Sequence, residues 1–148
     1  MLTEGEVEMK EKTINPVVHF EMPYENRERL MKFYTKAFSW QMQKTGEEMG
    51  NYVIAVTSET DENMMVKQPG TINGGFFPRQ PDAHYPSVVI AVDDIKEAMK
   101  KVTAAGGKVL SELMEIPGIG QYVPFEDTEG NRVSMLQPMN MKYKKSVT

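Results

Sequence analysis

The chain has 148 residues, of which 40% are hydrophobic and 26% charged, and its net charge is −4. That length suits one ordinary domain with its own core, and the acidic balance without a basic stripe argues against nucleic acid as a partner. There is no cysteine, which excludes disulfides, thiolate zinc sites and cysteine nucleophiles and fits a reducing cytoplasm.

Residues 1–13 begin MLTEGEVEMKEK, acidic and polar, without the basic start and apolar stretch of a secretory signal. They read as a flexible extension before one domain over 14–138, with 139–148 as a C-terminal tail. The apolar runs are only a few residues long, too short to span a bilayer, so no membrane partner is expected.

The first strand is NPVVHFEMP. Alternation sends Val17, His19 and Glu21 to one face and Val18, Phe20 and Met22 to the other. The second face is wholly apolar and calls for a covering helix. ENRERLMKFYTKAFSW supplies it, with Leu30, Phe33, Tyr34, Ala37 and Phe38 at helical spacing. That stripe, with Trp40, is expected mainly in the core. Strand-like pieces follow: WQMQ, NYVIAVT and INGGFF. Gly46 and Gly50 mark the first junction. The polar segment SETDENMMVKQPGT before INGGFF suggests a mobile surface loop at a pocket mouth. Gly74 and Gly75 inside a strand suggest a bulge or a close approach of backbone or ligand.

A second strand of the same design, PSVVIAVDD, starts at Pro86. The helix DIKEAMKKVTAAGG follows, with Ile95, Ala98, Met99 and Val102 on one face. Asp94 is suited to the N-cap, with Glu97 completing a capping box, and Gly106 and Gly107 suit the stop. KVLSELM, GQYVPFED and NRVSMLQP read as three strands, the last two joined by a hairpin at DTEGN. PGIG reads as a loop, since no P-loop lysine pattern follows it. Both halves (14–80 and 84–138) thus run strand, helix and three strands. The fold class expected is α+β: two βαβββ modules in one curved mixed sheet, helices outside and a cleft inside.

The stretches VVHFEMP…RLMKFYTKAFSW, INGGFFPR, YPSVVIAVDDIKEAMKKVTAAGGKVL and PGIGQYVPFEDTEGNRVSMLQP together resemble the vicinal oxygen chelate superfamily, the glyoxalase/bleomycin-resistance/extradiol-dioxygenase group. The resemblance implies paired βαβββ modules, a concave ligand cleft and frequent homodimers. It also implies four metal-ligand positions, one on the first strand and one on a late strand of each module. Carried over singly, these fall on His19, on the Asn73–Phe76 strand, on Val89 and on Ser134. His19 alone is a family-type ligand. A catalytic divalent ion wants about three protein ligands, so no metal or other cofactor is expected. A zinc, nickel, manganese or iron ion would need an unconventional set such as His19 with Glu21 or His84, the other of the two histidines.

Without a metal, His19 and Glu21 stand as cleft-facing contacts for a small-molecule ligand. Tyr52 joins them if strand alternation holds, and Arg132 and Ser134 share one face of the last strand. Each also has a plainer reading. His19 would be a satisfied strand histidine, Glu21 a hydrogen-bonded carboxylate and Arg132 a solvated cation. Three functions are compatible with this pattern. One is a metal-free small-molecule binding protein. Another is a glyoxalase-type lyase or isomerase, and the third is a dimeric structural protein.

Overall fold

The computed structural model describes residues 14–63 and 65–139. The proposed extension 1–13 and all but the first residue of the proposed tail lie outside the described residues.

The first half begins with β1 (Val17–Tyr24) and α1 (Arg27–Phe38). β2 (Gln41–Lys44), β3 (Val53–Val56) and β4 (Asn73–Pro78) complete it. The second half begins with β5 (Ser87–Ala91) and α2 (Ile95–Ala104). β6 (Lys108–Val109), β7 (Met114–Ile116), β8 (Gly120–Glu126) and β9 (Arg132–Pro138) follow. All nine strands belong to one mixed sheet in the order β2-β3-β4-β1-β5-β9-β8-β6, with β7 also on β8. β1 lies parallel to β4 and β5 parallel to β9, while β1 and β5 join the halves antiparallel.

The helices are cut by their caps. Asn26 accepts from Arg29 N at 3.0 Å to start α1, and Asp94 accepts from Glu97 N at 3.1 Å to start α2. Ser39 ends α1 at φ 59, a left-handed position. Each helix covers its own core. Leu30, Tyr34 and Trp40 pack on buried Val53, Ala55 and Phe76. Ala98, Met99 and Val102 pack on Val92, Ile95, Val123 and Met135. The concave face is therefore left to the other side of every strand.

Three expectations are corrected. Phe33 and Phe38 are 57% and 60% exposed, so they are not core. The half-buried stripe of α1 is centred on Leu30, Met31 and Tyr34, and Phe33 stands to its side. Phe38 is the last helical residue, where it meets the rings of Phe33 and Tyr34 rather than the sheet. KVLSELM is not one strand: β6 and β7 pair with successive parts of β8, and the chain bulges away between them. The segment after β3 is tied into a small bridged loop rather than left open. Thr60 pairs with Val66, and Asp61 Oδ1 accepts from the Asn63 and Met65 N–H groups.

The double glycine is explained by close approach, without a bulge. A side chain at Gly74 would overlap the Phe20 ring on the helix side, and one at Gly75 would overlap the Tyr52 ring on the concave side. Replacing Gly74 by Ala forces the Phe20 ring out of its place between Trp40 and Phe76. Gly74→Ala is expected to cost about 1–3 kcal/mol. It should lower the urea midpoint with no change in slope. Unchanged stability would contradict the packing described.

Candidate functional site

The pairing of β1 with β5 fixes the centre of the concave face. His19 and Val89, equivalent positions of the two halves, are direct neighbours there. Asn73 lies beside His19 on β4, and Ser134 lies beside Val89 on β9. The four positions singled out by family resemblance thus form one row, Asn73–His19–Val89–Ser134. Directly paired residues share a face, so the whole row looks into the concavity.

Glu21 is two residues along β1 on the same face and only 8% exposed. Tyr122 OH donates to Glu21 Oε1 at 2.8 Å and lies 2.6 Å from Ser134 Oγ. A phenol has one proton to give; with that proton on Glu21, Ser134 is the donor to Tyr122. From the other half, the Tyr52 hydroxyl stands near enough to Glu21 to favour its charged form, and it is 2.9 Å from His19 Nε2. Between His19 Nε2 and the Tyr52 hydroxyl, the imidazole tautomer decides which group donates. Two polar pairs therefore meet at one carboxylate: Tyr122, bonded to Glu21 and to Ser134, and Tyr52, bonded to His19 and close to Glu21. The position of Tyr52 depends on Gly75, whose bare backbone is the surface the ring lies on.

The electrostatics follow from burial. Loss of water pushes the Glu21 carboxyl above its ordinary range, against the two tyrosine hydroxyls and the nearby Arg132 charge, which pull it down. Burial, then the charge of Glu21, raises both phenols, so Tyr52 and Tyr122 remain protonated donors. Burial lowers the His19 imidazole to about 4, so it is neutral near pH 7. Arg132 stands one step along the face from Ser134. Its side chain is 33% exposed and reaches Asp82 at 3.9 Å. It is the charged group at the rim of this network.

All five residues expected at a cleft site (His19, Glu21, Tyr52, Arg132 and Ser134) are therefore drawn to one region. Tyr122 was missing from that set, although alternation along GQYVPFED places it on the face of Pro124. His84 does not join them. Its ring lies tilted against Tyr85, centroids 4.2 Å apart, and lines a cavity with Met22 and Phe76 on the helix side. That position rules it out as a partner for His19.

The row does not suit a divalent metal. His19 Nε2 is engaged by Tyr52, and Ser134 is engaged by Tyr122. Asn73 Oδ1 accepts from the Thr57 and Ser58 N–H groups at 2.8 and 2.9 Å, holding the end of β3. Val89 has no donor atom to offer a metal. Among the described residues, no three of His, Cys, Asp or Glu come together in a way that could hold a metal ion.

Two modules, one concave sheet and a polar centre define a protein of the paired-module glyoxalase type. The model of the Glyoxalase/Bleomycin resistance protein/Dioxygenase superfamily matches residues 17–135, and the chain belongs to that superfamily. It is 30% identical over 118 residues to a glyoxylase-like domain-containing protein of Didymella fabae, covering 75% of this chain and 84% of that one. The CFP32 protein of Mycobacterium bovis, which carries a glyoxylase name, is 39% identical over 51 residues, 34% of this chain. That match spans only 20% of its length. Among solved structures, methylmalonyl-CoA epimerase from Mycobacterium tuberculosis superposes with a TM-score of 0.61 at 10% identity, covering 89% of this chain and 91% of that one. The E43Q variant of the Streptomyces coelicolor epimerase gives 0.65 at 10%, covering 86% and 100%. Likeness at that identity is likeness of fold.

The depressed imidazole makes stability depend on pH. Between its folded value of about 4 and its ordinary value of 6.5, the unfolded chain binds the extra proton. The contribution of neutral His19 is thus complete above the ordinary value and is lost as pH falls through the folded one. Glu21, raised, acts oppositely: it weakens the fold as pH rises from its ordinary value through its raised one. His19→Gln should therefore lose less stability on acidification across the histidine window than wild type, by on the order of 1–3 kcal/mol. Urea titrations at a series of pH values measure this, and parallel curves would contradict the assignment.

Proposed function

We propose that the chain binds a small organic molecule on its concave face, at the Glu21-centred network and without a divalent metal. The observation that carries this reading is the convergence of Tyr52 and Tyr122, from opposite modules, on one buried carboxylate. A binding site needs a shaped surface with a few fixed polar groups. Here the phenols and carboxylate are held in place before any ligand arrives, which lowers the cost of ordering them.

In this reading Glu21 keeps acceptor capacity beyond its bond from Tyr122, since an ionised carboxylate has about four lone-pair sites. It takes a hydrogen bond from the bound molecule. Arg132 at the rim provides a second, cationic contact for an anionic part of the same molecule. A glyoxalase-type lyase or isomerase is less well supported, because the row meant for a metal offers one imidazole, and that one is already hydrogen-bonded. The substrates of the CFP32 proteins and of the epimerases are not carried over.

The proposal includes assembly as a homodimer. β2 at one end of the sheet and β6 with β7 at the other leave strand edges unpaired among the described residues, and such edges invite pairing.

The discriminating experiment is elemental analysis of wild type and His19→Ala after dialysis without chelator. Neither should carry stoichiometric zinc, nickel, manganese or iron. A thermal-shift screen of small metabolites should give hits whose shift shrinks in Glu21→Gln. About one ion per chain in wild type, lost in His19→Ala, would overturn the metal-free reading. Hits indifferent to Glu21 would overturn the placement of the site.

A further inference from the structure

The helix side of the sheet carries two adjoining cavities that play no part in the concave-face network. One, of about 440 Å³, is lined by Met22, Leu30, Tyr34 and Phe76, with Arg79 and His84. The other, of about 500 Å³, is lined by Phe20, Met22, Trp40, Ile72 and Val88. Met22 and Pro86 border both, so the two lie side by side and are treated together as a groove. Its origin is topological. Alternation in β1 sends Phe20 and Met22 to the helix side, and β5 sends Val88 there. α1 covers the first module and α2 packs against Ile90 and Val92. Val88 remains 37% exposed in the gap.

The groove is polarised. Its Trp40 end is apolar, and its other end has Arg79 and His84. No Asp or Glu is among the residues lining either cavity. Arg79 Nη1 donates to Glu25 Oε1 at 2.6 Å, which uses one of five guanidinium N–H donors. Each cavity falls within the size range of small-ligand pockets, roughly 300–1,000 Å³. An apolar floor ending at a guanidinium with free N–H donors, its charge shared with Glu25 in an ion pair, matches a ligand with an apolar body and one negative head.

We propose that this groove is a second binding site, for a monocarboxylate with an unbranched apolar chain of medium length. The carboxylate lies at Arg79 and His84, and the chain runs over Met22 toward Trp40. Arginine pairs with carboxylates through directed, charge-assisted hydrogen bonds. Met22, the flexible side chain that borders both cavities, can shift to let a thin chain pass between the aromatic walls.

Trp40 is the single tryptophan of the chain, so its fluorescence reports on the groove directly. The full chain is titrated with decanoate, 1-decanol and decylamine below their aggregation ranges. Decanoate should give a saturable change in Trp40 emission at one molecule per chain, about tenfold tighter than the alcohol or the amine, the worth of a hydrogen bond to a charged group. Arg79→Gln should weaken decanoate about tenfold and leave decanol unchanged. Glu25→Gln, which frees Arg79 from its partner, should tighten decanoate binding, a direction that damage to the fold would not produce. The proposal fails if decanoate gives no saturable change, if decanol binds equally well, or if neither variant alters decanoate affinity. It also fails if Trp40 emission shifts with protein concentration alone, in step with mass by light scattering. The groove would then be an interface between two copies.

Discussion

A carboxylate kept from water must be hydrogen-bonded or neutralised, and the burial of Glu21 imposes that condition on the rest of the concave face. Its position on β1, the strand that joins to the second module, puts it within reach of both halves. The first half answers with Tyr52, carried just before β3. The second answers with Tyr122 on β8. His19 and Ser134 stand behind those phenols and complete their hydrogen bonding. Much else that is unusual in the sequence serves this arrangement. Gly75 leaves room for the Tyr52 ring, and Arg132 stands near enough to favour the charged form of Glu21.

The internal repeat gives the arrangement its geometry. Equivalent positions of two copies meet where the copies join, which is why His19 and Val89 are neighbours. In a fully symmetric protein, that row would offer similar ligands from both halves. Here the copies have diverged: an imidazole faces an isopropyl group, and an asparagine that anchors a loop stands opposite a serine that serves a tyrosine. The asymmetric row lies next to the hydrogen-bonded network. Binding through fixed polar groups and binding through a metal are alternative uses of the same concave surface.

The fold was legible because its signals are local and repeated. Alternation in PVVHFEM, the apolar stripe of α2, the cap at Asp94 and the turn at DTEGN each point to one conformation, and their order repeats. Errors arose where tertiary packing decides. Helical spacing could not say that Phe33 and Phe38 lie off the buried stripe, since that depends on how α1 is rotated over the sheet. Nor was the break between β6 and β7 foreseen, although the polar pair Ser111 and Glu112 falls where the ladder to β8 is interrupted. At the candidate site, face assignment puts His19, Glu21, Arg132 and Ser134 on one side of the sheet, and the structure places Tyr52 beside them. Tyr122 could also have been found by counting outward from the DTEGN hairpin, which puts it diagonal to Ser134. His84 was beyond reach, because it precedes its strand and no periodicity fixes its direction.

The central claim is that Glu21 is a buried carboxylate held by phenols from both modules. Carbon-13 NMR titration of the Glu21 carboxyl, in wild type and in Tyr122→Phe, tests it most directly. Wild type should titrate above the ordinary glutamate value, and loss of the Tyr122 hydroxyl should push the carboxyl further up, because one donor to the charged form is gone. A Glu21 that titrates at the ordinary value, and is indifferent to Tyr122→Phe, would contradict the account.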